Sequence, residues 1–271
     1  MTHSTNYTAR QIKKIRFLGL DLHCISYQDM FCRFDEWIKT SDGRGRNVAL
    51  INVNCCVSGL LNRNVRTLYQ QADLLGIDSM PFLYLARLLK NRHSDRLYAP
   101  DMMLETAKEA PKRGYKFFLY GGAPGAPEVM SAMLKKISRD LAIVGTISPP
   151  FRELTEEEDE ALCGTIAASG ANIVWVGLGS PKQDVWIDRH CSKLPGCVLI
   201  ASGATFDFFS GRIRQAPRWI RATGLEWLFR LFQDPARLWK RYTAYNILFA
   251  VALVLELVGI LRLHKKQLSL T

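Results

Sequence analysis

No CxxC pair occurs among the seven cysteines (Cys24, Cys32, Cys55, Cys56, Cys163, Cys191 and Cys197), and their count is odd. Zinc-site spacing is missing too, so no structural metal is expected. The five histidines (His3, His23, His93, His190 and His264) are scattered, with no spaced metal pair and no Ser/His/Asp or Cys/His set. Cys55-Cys56 is assigned to the core rather than to a nucleophile. No Asp-x-Asp pair ends an apolar run, so the usual grip on a divalent ion bridging a diphosphate is absent, and no cofactor or metal is called for. The N-terminal stretch MTHSTNYTARQIKKIRF has no long apolar core. It is therefore not a secretory leader, and a cytoplasmic chain with reduced thiols is expected. Internal repeats and low-complexity segments are lacking. A mean hydropathy of -0.03 argues against a polytopic membrane protein.

What remains is a chain of 271 residues with 48% hydrophobic and 23% charged residues, an ordinary globular composition. The formal charge is +11, which points to an anionic partner. That surplus is unevenly spread. Residues 212–271 carry 11 Lys/Arg against 3 acids, whereas residues 1–211 are nearly balanced. This speaks against an evenly basic nucleic-acid binder and for a local basic device. Two parts are expected: an α/β body over 1–211 and a basic, aromatic helical appendage over 212–271.

Along the body, residues 1–16 are polar and basic and are expected to be poorly ordered, with Arg16–Asp21 starting the fold. Apolar runs of strand length alternate with helical stretches. Strands are expected at Val48–Val53, Leu74–Ile77, Lys116–Tyr120, Leu141–Gly145, Ile173–Val176 and Cys197–Ala201. Helices are expected up to about Tyr69, and at Met80–Lys90, Pro127–Ser138, Thr155–Ser169 and Pro181–Cys191. Thr155 with Glu158 has capping-box spacing. Strands apolar on both faces and alternating with helices imply a mostly parallel, Rossmann-like sheet covered on both sides, with ligands at the carboxyl strand ends. After Gly211 the rhythm changes. Pro217–Phe232 reads as one helix, and another starts at Pro235. The apolar run Ile247–Leu261 is followed by Arg262, Lys265 and Lys266. Its fifteen residues would span roughly 22 Å as a helix, short of the ~30 Å hydrocarbon core, which favours an interfacial tail over a membrane span.

Four places could carry chemistry. Gly177-Leu178-Gly179-Ser180-Pro181-Lys182-Gln183 leaves a strand and opens a helix, where free N–H groups favour an anion. It lacks the third glycine of the dinucleotide fingerprint, and a plain tight turn is the competing reading. Gly121-Gly122-Ala123-Pro124-Gly125 is a second such turn. Asp78 closes an apolar strand before a helix, where it could cap that helix or serve as a general base. Asn52 and Asn54 end the preceding strand, a position where asparagine is usually a turn former.

In order along the chain, these segments resemble the WecG/TagA/CpsF glycosyltransferases. The resemblance is carried by Ala72-Asp73-Leu74 leading to Asp78, by Phe118–Gly125, by Val176–Ile187 and by Ser202–Asp207 with Gly211. Ala216–Trp219, Gly224–Arg230, Asp234–Arg237 and Arg241-Tyr242 complete it. It implies an inverting transferase moving a sugar from a UDP-sugar to a polyprenyl-diphosphate-linked sugar at the inner face of the cytoplasmic membrane. Asp78 would be the base, Asn52 and Gln183 would contact the donor, and Arg96 would lie towards the diphosphate. Gly121, Gly122, Gly177, Gly179 and Lys182 would complete the donor site. Arg214, Arg218, Arg221, Arg230, Arg237 and Arg241 would serve membrane, acceptor or diphosphate. A homo-oligomer is compatible with this organisation. The chain departs from the family pattern at Leu50, Ser79 and Asp184, where threonine, glycine and glutamate are usual. Two other readings stand beside this one: a nicotinamide-dependent oxidoreductase sharing the α/β rhythm, and a non-catalytic membrane scaffold of the same fold.

Overall fold

The computed structural model describes residues 12–40, 42–89, 91 and 93–259, without the side chains of Arg237, Arg241 and Leu257. Eight strands form one sheet: β1 Lys13–Phe17, β2 Leu20–Cys24, β3 Arg46–Ile51, β4 Leu74–Ile77, β5 Lys116–Gly121, β6 Ala142–Ile147, β7 Ile173–Gly177 and β8 Val198–Ala201. Their order is β1-β2-β4-β3-β8-β7-β5-β6. All neighbours are parallel except the β1–β2 hairpin. The expected Rossmann-like α/β body is therefore present. The hairpin starts at Lys13, inside the segment expected to be poorly ordered; residues 1–11 lie outside the described residues.

The helices are α1 Tyr27–Thr40, α2 Val53–Leu61, α3 Arg63–Gln71, α4 Met80–Leu88, α5 Ala99–Arg113, α6 Ala126–Ile137, α7 Glu156–Ala168, α8 Lys182–His190, α9 Thr205–Phe209, α10 Arg218–Thr223, α11 Glu226–Gln233 and α12 Pro235–Leu257. The period-2 alternation of strand side chains divides the core. Val48 and Leu50 of β3 pack with Phe117 and Trp175 under α1, α5 and α6. Ala49 and Ile51 face α2, α3 and α4 on the other side. Thr155 closes the capping box with Glu158 at the start of α7.

The single helix expected over Pro217–Phe232 is two. Gly224 sits between α10 and α11 in the left-handed region (φ +82°), and a Cβ there would come within 3.0 Å of Met80. Helical periodicity continues on both sides of the break, so it is set by tertiary contact rather than by pattern. The apolar run from Ile247 belongs to the 23-residue α12 and is partly built into the body. Phe249 lies against Phe17 and Phe82 at 5.8 and 5.5 Å between ring centroids. The Glu256 carboxylate accepts the Leu18 N–H at 2.8 and 3.0 Å. Leu261, Arg262, Lys265 and Lys266 lie outside the described residues. Among the described residues, no helix is long and apolar enough to cross a membrane.

Candidate active site

The carboxyl ends of β3, β4, β5, β7 and β8 open into one cavity of about 1550 Å³, closed on its far side by α11 and α12. That exceeds the ~300–1,000 Å³ usual for one small ligand and leaves room for two reactants.

Asp78 stands at the end of β4. Its N–H donates to the Ile51 carbonyl at 3.1 Å, extending the ladder by one rung and setting the residue beside Asn52. Asn52 is the N-cap of α2. Its Oδ1 accepts the Cys55 N–H at 3.1 Å, and its Nδ2 donates to Asp78 Oδ2 at 3.1 Å. Capping thus fixes the amide so that its donor faces the carboxylate. Asp78 does not cap α4: Ser79 is the N-cap, and it makes no side-chain cap bond. Asp78 Oδ1 is shielded and has no partner. Burial pushes this carboxyl up to about 6, while Arg96 and the Asn52 bond pull the other way.

Arg96 arrives on a segment that follows β4, where the Leu97 N–H donates to the Ile77 carbonyl at 2.7 Å. Its Nε donates to the Asp78 carbonyl and its Nη1 to the Arg221 carbonyl at 3.0 Å. Its Nη2 lies 3.5 Å from Glu226.

The opposite wall is made of turns. Gln183 is buried, and its amide is spent within the protein. Oε1 accepts the Gly179 and Gly203 N–H groups at 3.1 and 3.0 Å, and Nε2 donates to Ser180 Oγ at 3.2 Å. One side chain therefore clasps the turns after β7 and β8 together. The glycines differ in role. A Cβ on Gly121 would meet the Gly177 backbone at 2.6 Å, and one on Gly177 would meet the Phe206 ring at 2.2 Å. These two are demanded by close packing, and Gly121 does not line the cavity. Gly122 also crowds Phe206, at 3.0 Å. Gly179 (φ +77°) faces open space on the cavity wall. Lys182 is exposed at the rim.

Of the appendage arginines, Arg230 lines the cavity, its guanidinium 5.5 Å from the Phe208 ring centroid. Arg221 is buried and paired with Asp101 at 2.7 Å, so its side chain holds α10 to α5. Arg214 and Arg218 are exposed and do not line the cavity. Arg237 and Arg241 lie on α12, and their side chains are outside the described residues. Several cavity residues were not singled out from the sequence. Glu226, Tyr98, Trp227, Tyr242 and Asn246 all line it, the last with a buried Nδ2 lacking a partner. Glu226, Trp227 and Tyr242 lie within family-like segments, which is the available signal. Cys55 and Cys56 are buried, and burial pushes the Cys55 thiol up to about 11, as befits core thiols. Among the described residues, no three His, Cys, Asp or Glu side chains converge as a metal-binding group.

The order of motifs and the crevice at the strand ends agree with one comparison. The family model described as "Glycosyl transferase WecG/TagA/CpsF family" matches residues 15–262 of the 271. That match removes the ground for the oxidoreductase reading and supports a transferase of polysaccharide or cell-wall synthesis. The chain belongs to the WecG/TagA/CpsF glycosyltransferase family.

Proposed function

We propose that this cavity transfers a sugar from a UDP-sugar to the hydroxyl of a polyprenyl-diphosphate-linked sugar, with inversion, and with Asp78 as the general base. In this reading the acceptor O–H gives its proton to Asp78 as its oxygen attacks the anomeric carbon from the face opposite the UDP. The bond from that carbon to the UDP oxygen breaks as the new glycosidic bond forms. The leaving diphosphate gains charge, which Lys182, Arg212 and Arg230 on the cavity wall are suited to offset.

The observation that carries the reading is the Asp78 carboxyl. It lines a cavity large enough for two reactants, holds one oxygen without a partner, and is pushed up to about 6, close to working pH. The test is UDP release from a panel of UDP-sugars, with and without short-chain polyprenyl-diphosphate-sugar acceptors. Acceptor-dependent release with one donor is expected. Asp78→Asn should lower turnover by about 10²- to 10⁴-fold while UDP still binds. UDP binding with no release in any combination would favour the scaffold reading.

We further propose peripheral attachment to an anionic membrane surface through the appendage. Ile247, Val251 and Val254 form an exposed apolar stripe on α12, continued by the exposed Val258 just past its end, with Trp219, Phe232 and Trp239 exposed earlier in the appendage and Arg218 and Lys240 among them. A Val251→Glu/Val254→Glu double variant should retain its Tm, because both side chains are exposed, yet sediment several-fold less with anionic vesicles. Unchanged sedimentation would defeat the attachment.

A further inference from the structure

Glu226 is the first residue of α11 and reaches the catalytic crevice from the appendage. Its carboxylate joins two residues of the segment following β4. Oε1 accepts the Tyr98 hydroxyl, and Oε2 lies 3.5 Å from Arg96 Nη2. The network extends further. Gln215 Nε2 donates to the Tyr98 hydroxyl at 3.1 Å. The Tyr98 ring packs against both the Arg96 guanidinium, 4.5 Å from its centroid, and that of Arg221, 5.4 Å away. Arg96 is thereby aimed from three sides: the Asp78 carbonyl, the Arg221 carbonyl and Glu226.

Charge makes this arrangement matter. With Asp78 beside Arg96 alone, the guanidinium would draw the carboxyl down and make it a weak base. A second carboxylate on the same guanidinium opposes that pull. The other groups facing Asp78 are few, and the Ala99 N–H at the start of α5 is one of them. Asn52 donates to it from the end of β3. Tyr98 and, from α1, Tyr27 are neutral phenols, both pushed up by burial. Asp101 of α5 is paired with Arg221. Glu226 is thus the anion that balances Arg96.

We propose that Glu226 is a positioning residue of the catalytic centre: delivered by the appendage, it aims Arg96 through a shared network with Tyr98 and sets the charge around Asp78. This rests on the reading of Asp78 as the base, but its first test does not. In protein carrying ¹³C-labelled aspartate, the Asp78 carboxyl signal is assigned by its loss in Asp78→Asn and titrated in wild type, Glu226→Gln, Glu226→Met and Glu226→Asp. The midpoint is expected to fall by on the order of half a unit to one unit in the two neutral variants and to stay near the wild-type value in Glu226→Asp. An unmoved midpoint in the neutral variants would overturn the proposal. So would an equal fall in Glu226→Asp, because charge would then not be what Asp78 senses. The acidic limb of kcat/KM for sugar transfer should move with the midpoint. Absence of transfer in the wild type would count against the proposed reaction, while the titration would still decide the role of Glu226.

Discussion

Asp78 and Asp184 have the same pKa displacement and different surroundings. Burial is the leading cause in both, and each is pushed up to about 6. Asp78 lines the cavity beside a cation and keeps one oxygen unpaired. Asp184, on α8, is 4% exposed, does not line the cavity, and is met by the Tyr69 hydroxyl at 3.4 Å and by Ser180. Desolvation moves a carboxyl wherever it is buried. It marks a reaction centre only where a reactant can reach the group. The same contrast runs through the two walls. The β3–β4 wall presents charge to the cavity. The β7–β8 wall spends the Gln183 amide on itself, as a clasp, and contributes shape, with Lys182 as a charge at its rim.

That contrast is broken most directly by comparing Asp78→Asn with Gln183→Ala. The first leaves the fold in place and removes the proposed base, so its loss should appear in turnover. The second strips the shared acceptor from the Gly179 and Gly203 N–H groups. Leaving them unmet costs on the order of 2 kcal/mol and loosens both turns. Thermal unfolding and UDP calorimetry should show a lower Tm and weaker UDP binding for Gln183→Ala, and neither for Asp78→Asn. The walls would not differ as argued if Asp78→Asn lost as much stability as Gln183→Ala.

The sequence made one wall legible and half of the other. The strands from β3 to β8 were readable because each is a short apolar run closed by a turn, and burial on both faces leaves little else for such runs to be. β6 is the weakest of them, a half-exposed edge strand. Asp78 was readable as an acid ending a strand. The β1–β2 hairpin was not, because its two-residue turn is Leu18-Gly19 at φ +45° and +77°, and one glycine within the short run Arg16–Asp21 does not by itself mark a hairpin. Helix α1 escaped because its apolar Met30, Phe31 and Phe34 lie among charges. Glu226 was quoted in a motif, but its partner Arg96 lies 130 positions away, and no local pattern ties the two. The glycines show the same limit. Gly121, Gly177 and Gly179 look alike in sequence, yet a side chain at either of the first two would clash with its neighbours, whereas Gly179 meets open space.

The smaller effect is read in stability, where the two carboxyls should behave alike although they differ in rate. A folded value above the unfolded one means that the folded chain holds the proton more tightly. The resulting stability is full below about pH 4 and is lost as pH rises through about 6. A two-unit displacement corresponds to at most about 3 kcal/mol for a sealed group. Asparagine at position 184 cannot ionise and can still accept from Tyr69 and Ser180. Asp184→Asn should therefore gain on the wild type as pH rises, by on the order of 1–2 kcal/mol near neutrality, with no difference below about pH 4. Asp78→Asn should gain by a similar amount across the same window, because the pull of Arg96 is already counted in its displacement to about 6. Urea unfolding from about pH 4 to 7.5 reads both. A gain for Asp184→Asn alone would mean that the charge of Asp78 is met from the cavity side, and burial would then not be what the two carboxyls share.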